Sequence, residues 1–132
     1  MYVIDKKREF ANQVKEMTLI GDVTGKNVVM IDDMIDTATT LVKASNLLLD
    51  KGALSVTVFA THGVLSYRNE IDNAEYRLIK SNINKIYISN TIDNCYDHTI
   101  DFITEEVKNR SKIINLDVSG VFAKAIEKIQ SE

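Results

Sequence analysis

The sequence predicts an α/β protein with a mostly parallel sheet and helices on both faces. Strand-like and helix-like patterns alternate along the chain, and a strand, helix, strand order makes the two strands parallel. The run Val28–Ile31 is short, apolar and unbroken, which is the pattern of a strand buried on both faces. A chain of 132 residues that is 45% hydrophobic and 27% charged suits one domain with a packed core.

The first half of the chain divides at a turn and at a polar loop. A turn at residues 24–26 separates the run Met17–Val23 from the apolar strand, so the earlier run is expected to be another strand. The polar loop runs from Asp32 to Thr40. Apolar residues then recur at helical spacing from Leu41 to Asp50, and Gly52 is the residue type that commonly ends a helix.

The second half repeats the alternation of strands and helices. In chain order the predicted elements are a strand at Val56–Ala60, a helix with apolar residues from Ile71 to Ile79, a strand at Lys85–Ser89, a helix from Ile100 to Val107, a strand at Lys112–Leu116 and a helix with apolar residues from Phe122 to Ile129. Ser119 has a side chain that favours the N-cap position of the last helix.

Composition argues against several partners and locations. The 16 Lys and Arg against 19 Asp and Glu give a net charge of −3 without a basic block, so nucleic acid is not an expected partner. The apolar runs are far shorter than the ~20 residues of a membrane helix. The N-terminus lacks the pattern of a secretory signal and Cys95 is the only cysteine, so a cytoplasmic location is expected. Cys95, His62 and His98 do not have the spacing of a zinc site.

The strongest chemical signal is the loop Asp32–Thr40, which packs three carboxylates and three hydroxyls into nine positions. Ligands of open α/β sheets bind beyond the carboxyl ends of the strands, where this loop and the loop Thr61–Ser66 are expected. Backbone N–H groups at a helix N-terminus attract anions, so Asp36–Thr40 suits a phosphate. The alternative is an acidic capping loop, because Asp and Thr are favoured caps.

Two carboxylates at the start of that loop suit a sugar. Asp32 and Asp33 would repel a phosphate, but carboxylates accept hydrogen bonds from sugar hydroxyls or hold a hydrated magnesium ion. A phosphate cradle beside a sugar-binding carboxylate indicates a phosphorylated sugar as the ligand.

The order of residues from Val28 to Thr40 closely resembles the phosphoribosyl-binding signature shared by type I phosphoribosyltransferases and ribose-phosphate pyrophosphokinases. Met34 and Ile35 between the carboxylates favour the pyrophosphokinases. Other stretches resemble further blocks of that family nearly from end to end: Asp5–Arg8 with Ala11, Asn12 and Met17, then Gly21–Lys26, Ala60–Ser66, Asn90–Ile92 and Val121–Ile126.

This resemblance implies transfer of the terminal diphosphate of ATP to the C1 hydroxyl of ribose 5-phosphate, which gives PRPP and AMP with Mg²⁺. By position, Lys6 and Arg8 would be the cations of a flexible catalytic loop that stabilise charge on the transferred diphosphate. Asp32 would hold ribose hydroxyls, and Asp33 would shape the loop or the hydration of the metal. The cradle for the 5-phosphate would consist of Asp36, Thr37, Ala38, Thr39 and Thr40.

The chain departs from the family pattern in several places. Thr39 stands where the family usually has glycine, Tyr67–Asn69 replaces a Gly-Pro-Ala stretch, and the segment Asp93–Arg110 is longer than typical. Family members are also considerably longer. The resemblance therefore implies that residues 1–132 are the C-terminal portion of an incomplete phosphoribosyltransferase-like domain, with the metal ligands in the N-terminal part. Such a chain is expected to be inactive alone, to expose apolar edges and to form homo-oligomers.

Three other functions remain open at this point. The first is a non-catalytic regulatory or scaffold subunit, which the missing half and Thr39 suggest. The second is a salvage phosphoribosyltransferase, against which the blocks Asp5–Met17 and Ala60–Ser66 argue. The third is a phospho-acceptor signalling domain, which requires an acceptor Asp where this chain has Thr61 and His62. His62 itself is either a ligand contact or, more often for a lone histidine, structural.

Overall fold

The computed structural model describes residues 3–10, 13–69, 72–92 and 112–131, with the backbone alone for residues 3–10 and 13–19. In chain order the elements are β1 (Val3–Phe10), β2 (Gln13–Ile20), β3 (Asn27–Ile35), α1 (Thr39–Asp50), β4 (Ser55–Gly63), α2 (Ala74–Lys80), β5 (Lys85–Ser89), β6 (Ile113–Leu116) and α3 (Ser119–Gln130). The strands β3, β4, β5 and β6 form a four-stranded parallel sheet in that order, so the predicted α/β class is confirmed.

The N-terminal strands form a separate antiparallel hairpin. β1 pairs with β2, and the register shifts on both sides of Arg8. The segment Asp5–Arg8, expected to be a loop, therefore lies in a strand. The predicted strand Met17–Val23 ends at Ile20, because the chain turns where Thr24 N–H donates to the Asp22 carboxylate at 2.9 Å.

One face of the sheet carries the core. Alternate residues of β4 and β5 point towards α1 and α2, since successive side chains of a strand point to opposite faces. Val58 and Ile88 are fully buried there, and Leu48 and Leu78 pack from the two helices. Burial stabilises the fold by about 1.5–3 kcal/mol for each large apolar side chain, so this face supplies most of the stability.

The other face is open among the described residues. Val29 and Ile31 are 58% and 84% exposed, so the prediction that this strand is buried on both faces is wrong. The reason is that the described elements leave this face largely uncovered, so only the alternate residues of β3 that point to the other face meet the core. An in-register row crosses this open face: Ile31, Phe59, Tyr87 and Ile114. The rings of Phe59 and Tyr87 stack at 4.7 Å.

The helices agree with the predicted positions, but their starts differ. α1 ends before Gly52, whose φ of +89° suits glycine, as predicted. α3 has Val118 at its N-cap position, so the prediction for Ser119 is wrong, and Ser119 N–H instead donates to the Asp117 carboxylate at 2.9 Å. Ile71 and the predicted helix Ile100–Val107 lie outside the described residues.

The last helix has no buried residue, and four of its apolar side chains are 58–73% exposed: Val121, Phe122, Ile126 and Ile129. Its first turn approaches the open face, where Val121 and Phe122 border a cleft with Ile31 and Phe59. Helices therefore flank both faces, though α3 leaves the second face largely open. Within the described ranges no helix is long and apolar enough to cross a membrane.

Candidate functional site

The predicted site lies at the carboxyl ends of β3 and β4. Asp32 and Asp33, expected in a loop, belong to β3, because pairing with β4 continues through Asp32 with Ala60 and Ile35 with Gly63. The loop before α1 is therefore only Asp36–Ala38. A loop this short leaves little room for alternative backbone paths, so the pairing of the strands largely positions the start of α1.

Asp32 and Asp33 each accept a hydrogen bond from the next residue. Asp33 N–H donates to the Asp32 carboxylate at 3.0 Å, and Met34 N–H donates to the Asp33 carboxylate at 2.8 Å. Neighbouring side chains of a strand point to opposite sides, so the two carboxylates do not face one ion together. In the part of the chain that is described, no group of three His, Cys, Asp or Glu side chains is placed to hold a metal.

Ala38 has the conformation that makes this turn unusual. It is the N-cap of α1, is 5% exposed, and has a φ of 62° and a ψ of −6°, which is the left-handed region. That region costs an ordinary L-residue roughly 1–2 kcal/mol. Thr39, the residue that departs from the family's glycine, is the first residue of α1 and does not need this conformation. The backbone position that favours glycine is thus one residue earlier than the sequence suggested.

Four consecutive carbonyls at this turn accept hydrogen bonds from the protein. The bonds are Leu65 N–H to Ile35 O at 2.9 Å, Ser66 N–H to Asp36 O at 3.1 Å, Arg77 Nη1–H to Thr37 O at 2.9 Å and Val42 N–H to Ala38 O at 3.0 Å. The C=O and N–H of one planar trans peptide point in opposite directions. The N–H groups of residues 36–39 therefore point away from the protein groups that hold the carbonyls.

The residues that follow β4 brace this turn from one side. Ser66 donates its hydroxyl to the Asp36 carboxylate as well as its N–H to the Asp36 carbonyl. Leu65 has a φ of 47°, so it and Ala38 are the two non-glycine residues with positive φ in the described ranges. Backbone strain of this kind is found most often at ligand sites. The two loops that the sequence singled out are thus bonded to each other.

His62 is tied into a hydrogen-bond network rather than left free. Its Nδ1 lies 2.7 Å from the Thr91 hydroxyl, and that hydroxyl donates its proton to the Thr61 carbonyl at 2.8 Å. This geometry favours the structural role for His62.

An open cleft of about 300 Å³ lies beside the carboxyl edge, between the open face and α3. Asp32 lines it, so the cleft borders the predicted sugar site. The polar lining is completed by Thr61, Ser89 and Thr91, and the apolar lining includes Ile31, Phe59, Val121 and Phe122.

Several predicted residues fall where side chains are not described. The backbones of Lys6 and Arg8 pair with Met17 and Val14 in the hairpin, which is all that the structure gives for these two cations. Cys95 and His98, with the whole segment Asp93–Arg110, lie outside the described residues. Conversely, Leu65 and Arg77 belong to the site but were missed. The block Ala60–Ser66 pointed to the first, while no pattern in the sequence marks Arg77.

A parallel sheet with the N–H groups of a helix start turned outward at its carboxyl edge has the architecture of α/β proteins that bind phosphorylated ligands there. The chain belongs to the phosphoribosyl synthetase-associated domain family, whose model matches residues 4–132. The predicted resemblance is confirmed at the level of the family.

The relatives and a solved structure agree with that assignment. The chain is 40% identical over 129 residues to a ribose-phosphate pyrophosphokinase from Helicobacter hepaticus, covering 98% of this chain and 36% of the relative. It is 36% identical to ribose-phosphate pyrophosphokinase 2 from Saccharomyces cerevisiae, covering 98% of this chain and 35% of the relative. The crystal structure of phosphoribosylpyrophosphate synthetase from Mycobacterium smegmatis matches 90% of this chain and 35% of its own, with a TM-score of 0.68 and 32% identity. The chain spans little more than a third of these relatives.

Proposed function

We propose that this chain forms the ribose 5-phosphate site of a ribose-phosphate pyrophosphokinase. The complete enzyme would transfer the diphosphate of ATP to the C1 hydroxyl of ribose 5-phosphate and release AMP. The names of the relatives support the reaction class. The observation that carries the assignment of the site is the turn at Ala38, where four held carbonyls leave the opposite N–H groups turned outward at the start of α1.

In this proposal the cradle Asp36–Thr40 binds the 5-phosphate through backbone N–H groups and the hydroxyls of Thr37, Thr39 and Thr40. The first turn of α1 has no acidic residue, and none of the described side chains caps it, so no described carboxylate competes with the ligand at those N–H groups. The positive end of the α1 dipole adds to the attraction of the anion. Asp36 contributes its backbone, because its carboxylate already accepts the Ser66 hydroxyl.

Asp32 would hold the ribose hydroxyls. It is half-buried in β3 and borders the cleft, and carboxylate oxygens accept hydrogen bonds from sugar hydroxyls. A carboxylate also discriminates sugar from phosphate, since it accepts from a hydroxyl and repels an anion. Asp32 borders the cleft and precedes the cradle in the chain. A ribose 5-phosphate whose phosphate lies in the cradle would therefore extend its ring towards the cleft.

Lys6 and Arg8 would act on the transferred diphosphate. Phosphoryl transfer needs positioning and neutralisation of the charge on the transferred group more than it needs covalent chemistry, and two cations supply that charge. Mg²⁺, when bound with the nucleotide, would neutralise further negative charge on the diphosphate. Asp33 is exposed on β3 and would accept hydrogen bonds from the water shell of that ion.

The remaining parts of the site would come from residues beyond this stretch. We place the chain at the C-terminal portion of the enzyme, as the motif order predicts, with the adenine site and metal ligands contributed by the rest. On its own the chain is then expected to bind ribose 5-phosphate without turning it over. Homo-oligomers and a cytoplasmic location, both expected from the sequence and its resemblance, belong to the same proposal.

A non-catalytic subunit is the second candidate. The open face of the sheet, with Ile31 84% exposed, suits association with another chain and makes no use of the cradle. Such a subunit would keep the fold but would not need to bind the sugar phosphate. Ligand binding therefore separates the two candidates.

The test is an amide-resolved NMR titration of the chain with ribose 5-phosphate and Mg²⁺. We expect saturable shifts at Asp32–Thr40 and at the neighbouring Leu65 and Ser66. Asp32→Asn should weaken binding, because an amide is a poorer acceptor than a carboxylate, whereas Asp50→Asn removes an exposed carboxylate at the other end of α1 and should leave it unchanged. A well-folded chain with no shifts at the cradle would rule out the binding function and favour the subunit.

A further inference from the structure

Among the described residues outside the loop, three hold its carbonyls at residues 35–37, and only Arg77 does so with a side chain. The carbonyls of Ile35 and Asp36 are held by backbone N–H groups of Leu65 and Ser66, which any residue except proline supplies. The carbonyl of Thr37 is held by Nη1 of Arg77 at 2.9 Å, across 40 positions of the sequence. The chemistry of residue 77 therefore decides whether this third carbonyl is held.

The guanidinium of Arg77 is itself fixed. Nη2 forms an ion pair with the Asp72 carboxylate while Nη1 reaches the Thr37 carbonyl, and the side chain is only 29% exposed. The helix that carries Arg77 is capped by Asn73, which is 2% exposed and accepts Tyr76 N–H at 2.7 Å through its side chain. A planar guanidinium offers these two donors in fixed directions, whereas the ammonium of lysine is one compact group whose donors rotate.

The carbonyl that Arg77 holds belongs to the same peptide unit as the N–H of Ala38. Because the unit is planar, fixing the carbonyl also fixes the direction of that N–H. Ala38 lies in the left-handed region, which an L-residue leaves when nothing holds it there. Loss of the Arg77 bond would therefore let the Thr37–Ala38 peptide rotate and take a donor out of the cradle.

We propose that Arg77 is a positioning residue of the phosphate cradle, which aims the Ala38 N–H at the ligand without touching the ligand itself. This inference rests on the proposed function, because it takes the 5-phosphate as the occupant of the cradle. It assigns to α2 a role in ligand affinity that the sequence did not indicate. It also gives a role to the Asp72 carboxylate beside the guanidinium, because this ion pair holds the guanidinium in one orientation.

The test compares Arg77→Met with Lys80→Met in the full 132-residue chain. Lys80 lies on the same helix, is exposed and contacts only the Tyr76 ring at 5.8 Å among described cation contacts, so its substitution removes the same charge without touching the turn. Calorimetric titration with ribose 5-phosphate should give a Kd about tenfold higher for Arg77→Met and changed less than twofold for Lys80→Met. Arg77→Lys keeps the charge but loses the two donors in fixed directions, so its Kd should lie between those of the two methionine variants.

Two further readouts separate positioning from general stability. The same fold-loss should occur with inorganic phosphate as the ligand, because the Ala38 N–H acts on the phosphate and not on the sugar. In the free chain, the backbone amide chemical shift of Ala38 should change in Arg77→Met, because the carbonyl of the same peptide loses its hydrogen bond, while that of Ile86 in β5 should not change. A residue that only stabilised the fold would lower Tm and leave the Kd of the folded fraction unchanged.

The outcomes separate the positioning role of Arg77 from the proposed function on which it rests. If the wild-type chain binds ribose 5-phosphate and Arg77→Met binds it equally well, the positioning role is overturned while the proposed function stands. Equal losses in Arg77→Met and Lys80→Met indicate long-range charge and also overturn it. A folded wild-type chain that binds neither ligand overturns the proposed function together with the inference. If Arg77→Met lacks a dispersed amide spectrum, Arg77→Lys is judged by the same criteria.

Discussion

The starts of α1 and α3 differ, although both helices follow strands at the same edge of the sheet. Among the described side chains, neither that of the N-cap residue Ala38 nor that of the N-cap residue Val118 caps its helix, and neither first turn carries an acid. The difference lies just before the N-cap. Near the start of α3, the Asp117 carboxylate accepts both Ser119 N–H and the Asn90 amide at 2.9 Å. The short helix α2 resembles α3 in this respect, because Asn73 caps it.

This difference shows where an external anion can bind. A helix start whose N–H groups meet a protein carboxylate has its partial positive charge already neutralised. The start of α1 has its carbonyls held by other parts of the protein and its N–H groups turned outward, so the same charge remains for a ligand. The contrast is produced by residues that are far apart in sequence, since Leu65, Ser66 and Arg77 hold the turn.

The largest expected effect comes from placing a carboxylate at the start of α1, since the start of α3 already has one in Asp117. Ala38→Asp places a carboxylate at the N-cap, where it repels the phosphate and competes for the N–H groups, so affinity for ribose 5-phosphate should fall by about a hundredfold. Calorimetric titration measures it. Leu54→Asp adds the same charge beyond the far end of α1 and should leave the Kd within about twofold; a similar loss in both variants would contradict the local explanation.

The second effect concerns the start of α2, where a side chain of the protein accepts a helix N–H. Asn73→Ala removes the cap of α2 at a position that is 2% exposed, and should lower the free energy of unfolding by about 1–2 kcal/mol. Urea denaturation provides the value. Asn46→Ala, at an exposed position of α1, should change it by less than about 0.5 kcal/mol, and equal effects at the two sites would argue against a capping role.

A smaller effect is expected when the strain at Ala38 is relieved. Ala38→Gly removes the Cβ that disfavours a φ of 62°, so the free energy of unfolding should rise by about 1 kcal/mol. Ala53→Gly, at a position without positive φ, should lower it instead. Thermal denaturation followed by circular dichroism distinguishes the two, and destabilisation by both variants would mean that Ala38 is not strained.

The smallest expected effect is the pH dependence of the α3 start. Hydrogen bonds from Ser119, foremost the one from its backbone, and from the Asn90 side chain hold the pKa of Asp117 below its usual 3.8. A carboxyl with a lowered folded pKa contributes stability that is present above pH 3.8 and disappears as the pH falls through the folded pKa. The Tm difference between wild type and Asp117→Asn should therefore shrink below pH 3.8. A constant difference would show that ionisation of Asp117 does not support α3.

Much of the fold was predictable because local patterns determine it. The apolar spacing of α1, the alternation in β5 and the glycine after α1 each act within a few residues, and each was predicted correctly. The N-cap of α3 was not, because the favoured Ser119 is the first residue of the helix and Val118 is at the N-cap position. The Asp117 carboxylate accepts the Ser119 N–H instead, and it also accepts from Asn90, which is distant in sequence.

The parts that could not be predicted depend on contacts between distant segments. The Asp32 and Asp33 pair was expected in a loop because it is polar, yet pairing with β4 keeps it in the strand. The positive φ at Ala38 was not predictable from the family pattern, which has glycine at the position of Thr39, and the turn at Ala38 is held by hydrogen bonds from outside the loop. The exposure of Ile31 also depends on other elements, because the same apolar run is compatible with a sheet covered on both faces or on one face.

The stacked pair of Phe59 and Tyr87 on the open face provides an optical probe that needs no label. The chain contains no tryptophan and five tyrosines, so tyrosine emission is not masked by energy transfer to an indole. Tyr87 lies in the row that crosses this face, and any chain that covered the row would remove water from its ring. The near-ultraviolet signal of the protein should therefore change when the face is covered, and Tyr87→Phe would show how much of that change comes from this one ring.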